Sequence, residues 1–164
     1  MTRRSSWPLW LVLALLAVLH FYLRPRLYAG RGAPDFLLLA LLIYAFRRPP
    51  GQAAVAGLLV GLVQDTLVPS RFGAGMLAHT IVAYLASYGR AVFFADNLLV
   101  NVGIFFAGTW LRNLILLLVA GGLTGGALLA GLTVWSVLQA ATTALAGTLV
   151  VLLIRHRVDV RLDS

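Results

Sequence analysis

Cysteine is absent from this chain of 164 residues, and so are lysine and glutamate. The first absence excludes disulfides, thiol nucleophiles and cysteine metal sites. Charge of either sign is scarce: 11% of the residues are charged, against about 25% in an ordinary soluble domain. The five acids are Asp35, Asp65, Asp96, Asp159 and Asp163, and the thirteen bases are all arginine. Those arginines stand singly or in pairs between apolar runs and make no basic stripe, so the net charge of +8 is not the footprint of a nucleic-acid binder. They read instead as topology signals and contacts to anionic membrane lipids.

What the chain has is apolar length. Hydrophobic residues make up 61% and the mean hydropathy is +0.94. No water-soluble fold of this size hides so much apolar surface, so the surrounding solvent is lipid. The expected fold is an all-α integral membrane protein in one domain, a bundle of about six transmembrane helices.

A spanning helix takes about 20 apolar residues. The first candidate is Trp7–Leu23; Arg3 and Arg4 precede it as in a signal peptide, but no small-x-small cleavage site closes it, so it reads as a retained helix. The second, Pro34–Phe46, is short, with Pro34 placed in its first turn and Asp35 beside it at the positive end of the helix dipole. It must be thin, tilted or shielded. The third runs from Gln52 to about Val68, and Pro69-Ser70 make the next turn. The fourth runs from Phe72 to about Phe94, with a potential break at Gly89-Arg90. Asp96 and Asn97 signal the start of the fifth, Leu98–Ala120. A glycine-rich link, Gly121 to Gly126, leads to the sixth, about Ala130–Ile154.

With six spans, Arg3, Arg4, Arg47, Arg48, Arg90, Arg155, Arg157 and Arg161 share one side, and Arg24, Arg26, Arg31 and Arg71 the other. That asymmetry places both termini in the cytoplasm.

Several residues break the apolar pattern. Ala53, Gly57, Gly61 and Asp65 recur every four residues and share one helix face. Gly57-x-x-x-Gly61 lets two backbones approach closely, either within the bundle or against a partner helix. Asp65, near the end of that face, is either an intramembrane functional acid or an interfacial residue paired with Arg71 or with backbone N–H groups of the next helix. His79 shares a face with Gly75, Ala83 and Ser87; with no second histidine at ligand spacing it reads as a structural hydrogen-bonding residue. His20 and His156 lie near segment ends and read as interfacial. In the fifth segment, Asn101, Gly108 and Arg112 can lie along one side, and Arg112 either snorkels or meets Asp65. In the sixth, Ser136, Gln139, Thr143 and Gly147 line one face, for interhelical hydrogen bonding or for one wall of a polar cavity.

Enzyme signatures are missing. Ser136 has no glycine-flanked elbow and no base placed to activate it. Only Asp65 reads as lying near the depth an aspartyl dyad needs, and there is no phosphate loop or dinucleotide fingerprint. No catalytic residue, cofactor or metal is expected.

The stretch from Pro34 to Ala86 resembles the bacterial rod shape-determining protein family MreD. Pro34-Asp35 opens the second segment, a basic turn follows, Gly57 and Gly61-Leu62 lead to Asp65, and a turn with Gly73 and Gly75 enters the next helix. The length and six-segment plan are also similar. Gln64, where the family usually places an apolar residue, is a departure. The resemblance implies a non-enzymatic scaffold in the bacterial inner membrane. It implies work with the bitopic protein MreC, the filament MreB, the glycosyltransferase RodA and a class B penicillin-binding protein in side-wall peptidoglycan synthesis. It also implies an overall fold similar to the substrate-capture subunits of energy-coupling-factor transporters, which raises solute binding as the alternative. Those subunits commonly dock through Ala-x-x-x-Ala in the first helix, and here Ala14 is followed by Val18.

Overall fold

The computed structural model describes residues 7–23, 26, 32–92, 97–120 and 125–159. Arg3, Arg4, Arg24, Arg31, Arg161, Asp96 and Gly121-Gly122, all used above, lie outside the described residues. Every regular element is helical: α1 (Trp7–Tyr22), α2 (Phe36–Ala45), α3 (Pro50–Leu67), α4 (Ala74–Val92), α5 (Leu98–Ala120), α6 (Gly126–Ala130) and α7 (Ser136–Asp159). A π-helical turn, Gly131–Trp135, joins α6 to α7 without a break. The last rod therefore starts at Gly126, four residues before the expected Ala130.

Local chemistry sets the ends. Pro50 opens α3, where a missing N–H is harmless, and Pro69 follows its end. Gly73, at φ +95°, turns the chain into α4 in a conformation only glycine adopts readily. Asn97 accepts the Leu99 N–H at 2.9 Å and caps α5. Two expectations are corrected here. Pro34 is not in the first turn of α2: the N-cap is Asp35, whose side chain accepts the Leu38 N–H. The helix α4 runs unbroken through Gly89 and Arg90, because a single glycine weakens a helix without ending it.

The helices α3 and α4 are antiparallel and in close contact. Ala53, Gly57, Gly61 and Asp65 are the buried row of α3. A Cβ on Gly57 would lie 2.4 Å from the His79 carbonyl oxygen, and one on Gly61 2.4 Å from Met76 Cα. This small-residue face is therefore occupied within the chain, by α4.

The short helix α2 is the axle of the bundle. All its residues but Tyr44 are buried, and α1, α3, α4, α5 and α7 all touch it. The exterior is apolar instead: Leu15, Leu59, Leu99, Leu145 and Leu153 are all more than half exposed, while Asp35, His79, Thr109 and Thr143 are fully buried. Large apolar groups outside and polar groups inside suit a lipid surrounding. Two stretches, Leu98–Val119 and Gly131–Leu153, are long and apolar enough to cross a membrane, and Trp10–Tyr22 and Phe36–Ala45 are shorter apolar helices.

Candidate functional site: a buried polar network around Asp35

The start of α2 lies inside the bundle, so non-helical backbone enters the interior ahead of it. Buried irregular backbone needs partners for its polar groups, and in a lipid surrounding protein must supply them. The helix α7 supplies them here. Thr142 Oγ1 donates to the Gly32 carbonyl at 2.8 Å, Gln139 Nε2 to the Ala33 carbonyl at 3.2 Å, and Thr143 Oγ1 accepts the Asp35 N–H at 3.1 Å. Gln139 and Thr143 of the expected 136/139/143 face therefore bond to the segment that leads into α2, while Ser136 bonds within its own rod to the Gly131 carbonyl.

Asp35 organises the rest. Its Oδ1 accepts the Leu38 N–H at 3.0 Å, and its carboxylate sits at the positive end of α2. Its Oδ2 is 3.3 Å from Arg112 Nη2, an ion pair with both side chains buried. Arg112 also donates from Nη2 to Gln64 Oε1 at 2.8 Å and from Nη1 to Asn113 Oδ1 at 2.9 Å. Asn113 passes the chain on, donating to Gln139 Oε1 at 2.8 Å. One continuous network thus ties α2, α3, α5 and α7.

His20 brings in α1. Its Nδ1 accepts the Leu37 N–H at 3.2 Å and lies 3.3 Å from Asp35 Oδ1. Both contacts gather at the start of α2 and tie the end of α1 to it. Two sequence expectations are corrected by this geometry. Arg112 meets Asp35 and not Asp65, and His20, read from its place near a segment end, is buried against the start of α2.

Asp65 forms a second polar centre. It accepts the N–H groups of Gly73 (2.9 Å), Gly75 (3.0 Å) and Met76 (3.0 Å), capping α4 from the neighbouring helix. Any Cβ on Gly75 would fall 2.2 Å from Asp65 Oδ1, so the carboxylate reaches these amides only over a glycine. One turn on, His79 Nδ1 is 2.7 Å from the Gly75 carbonyl. Asn101 is buried but joins neither centre. Of the remaining polar candidates, Arg112, Gln139 and Thr143 belong to the network; Pro34 stands directly before it, and Asp35 is its hub.

This arrangement has the chemistry of a fastener. The carboxylates are engaged with an arginine or with amides, Ser136 Oγ is bonded to the Gly131 carbonyl, and no group of potential metal ligands occurs among the described residues. His20, Gln64 and Asn113 complete it. Gln64 carried a signal, as a polar residue one position before Asp65 in an apolar helix.

No characterised protein and no solved structure matches the chain. The family model described as rod shape-determining protein MreD matches residues 1–155. That match takes in all of α1 to α6, the whole network and nearly all of α7. With both polar centres and almost the entire length inside it, the chain belongs to the MreD family of rod shape-determining proteins.

Proposed function

We propose that this protein is a multi-pass, non-enzymatic scaffold of the rod complex in the bacterial cytoplasmic membrane, where it holds an MreC-like single-span partner. Through that partner it helps organise RodA, a class B penicillin-binding protein and MreB for side-wall peptidoglycan synthesis. The observation that carries the reading is the inversion of the bundle. The polar side chains of the interior bond to one another and to buried backbone, while the outer faces are apolar. What such a chain offers a specific partner is helix surface and short turns. The Ala53/Gly57/Gly61 seam is filled by α4, so the partner uses another face.

The solute-capture alternative has less support. A ligand site needs convergent polar groups with room between them. Here Asp35, Arg112, Gln64, Asn113 and Gln139 converge on each other. Coexpression with the MreC-like protein of the same organism, with a tag on one of the two, is expected to recover both in mild detergent. Failure to associate, with tight binding of a vitamin-like solute by the isolated chain, overturns the scaffold reading.

Six crossings also fit the short α2. Ten helical residues rise about 15 Å, and the three non-helical residues 33–35 add at most about 11 Å. Together they come close to the hydrocarbon thickness of about 30 Å. Antiparallel packing puts Arg47, Arg48 and Arg90 at one end of the bundle, with Arg26 and Arg71 at the other. A reporter active only outside the membrane is expected to be silent when fused at Ser164 and active when inserted near Pro69. An active fusion at Ser164 removes the even number of spans.

A further inference from the structure

The end of the bundle that carries Arg47, Arg48 and Arg90 also holds a groove. Tyr44, Gly51, Gln52, Val55, Ala56 and Leu59 line an open cleft of about 370 Å³ between the end of α2 and the first half of α3. Its wall is apolar almost throughout. Its mouth is cationic. Arg47 and Arg48 are exposed in the turn between the two helices, and the Arg48 guanidinium lies over the Tyr44 ring, 5.5 Å from its centroid. No carboxylate contacts either arginine among the described residues. The turn itself is tied down from α4: Ser87 Oγ donates to the Arg48 carbonyl at 2.6 Å, and Arg90 Nη1 donates to the Phe46 carbonyl.

We propose that this groove is a binding site for one anionic phospholipid. Its phosphate is held by Arg47 and Arg48, and an acyl chain runs along Val55, Ala56 and Leu59. The assignment rests on the membrane-spanning reading above. Charge selects the occupant: a partner helix has no use for two unpaired cations at the mouth of an apolar cleft, whereas a lipid with a negative headgroup and an apolar tail matches both ends. Length agrees. From Gly51 to Leu59 the helix rises about 12 Å, close to the roughly 15 Å of one leaflet's hydrocarbon. Gly51 opens the mouth, and a Cβ there meets no atom within 4 Å.

The test is native mass spectrometry of the full chain in detergent, with phosphatidylglycerol and phosphatidylcholine of identical acyl chains. Phosphatidylglycerol is expected to be retained in preference. Arg47→Gln and Arg48→Gln together should remove the preference, with about a fivefold loss per arginine. Gly51→Trp, whose side chain enters open space, should reduce retention of both lipids at unchanged Tm. Equal retention of the two lipids by the natural chain overturns the site, as does a preference that survives the double substitution. A photo-crosslinker at Val55 that captures a protein in cells and no lipid also overturns it. Recovery of the MreC-like partner does not enter these measurements, so either proposal can fail without the other.

Discussion

Arg112→Leu is expected to lower stability by about 3–5 kcal/mol, the cost of leaving one member of a buried ion pair without its partner. The attraction at stake is large. At 3.3 Å, Asp35 and Arg112 interact by about 5 kcal/mol for an effective dielectric constant of 20. Desolvation offsets much of that while the pair is intact. Once the guanidinium is gone, Asp35 keeps its desolvation cost and loses the Arg112 share of its compensation, and Gln64 and Asn113 each lose a donor as well. Asp35→Asn should cost a similar amount for the mirror reason. The decisive variant is the double one: Asp35→Asn with Arg112→Leu should cost clearly less than the sum, because neither charge is left stranded. Thermal unfolding in detergent measures all three. Additive losses would mean that the two side chains are not coupled. Raising salt from about 0.1 to 1 M should barely change the result, since ions do not reach a buried pair.

A second large effect is expected at the α3–α4 seam. Gly61→Leu should destabilise by about 4 kcal/mol or more, the range reached when a side chain is forced into occupied space. The added Cβ would lie 2.4 Å from Met76 Cα and 2.5 Å from the Gly75 carbonyl oxygen. Both obstacles are backbone, so no rotamer change relieves the overlap and the helices must part. Parting them also draws Asp65 away from the amides of Gly73, Gly75 and Met76. Gly89→Ala is the control. A Cβ at Gly89 meets nothing within 4 Å, and alanine there should be neutral or stabilise by up to about 1 kcal/mol. Equal Tm values for Gly61→Leu and the natural chain would show that α3 and α4 do not touch at this residue.

The sequence made the rods legible because each carries a strong periodic or apolar signal. The 53/57/61/65 row was visible as a small-residue face, and the structure adds only that its cover is α4. Asn97 and Pro69 marked helix ends through chemistry that acts within a few residues, whereas α3 begins at Pro50, two residues before the expected Gln52. The network was harder. Arg112, Gln139 and Thr143 stood out one by one as polar groups in apolar helices, but pairing depends on which helices are neighbours, and no local pattern encodes that. Asp35 was read only as a dipole-stabilising residue at a helix start, and Asp65 as either an intramembrane acid or an interfacial one bonded to Arg71 or to the amides of the next helix, of which the structure shows the amide bonds. The missed signal was length. A helix of ten residues rises only about 15 Å, so an acid at its start has to lie well inside any bundle that spans the membrane. His20 escaped notice for a related reason: its partner, the start of α2, lies on another helix, and no pattern within α1 points to it.

The burial of α2 has a consequence for how the protein is made. The chain is synthesised from its amino terminus, so Asp35 leaves the ribosome 77 residues ahead of Arg112 (112 − 35) and 108 ahead of Thr143. At about 5–20 residues per second, the wait for the arginine alone is roughly 4–15 s. Through that interval the leading carboxylate of α2 is without the Arg112 guanidinium, and the backbone N–H of Asp35 is without Thr143. It becomes a settled part of the bundle only when α5 and α7 arrive to receive it. The carboxy-terminal third of the chain thus acts as the latch for the amino-terminal third, and a nascent chain stopped before α5 would leave the buried backbone of Gly32, Ala33 and Asp35 without the α7 side chains that bond it.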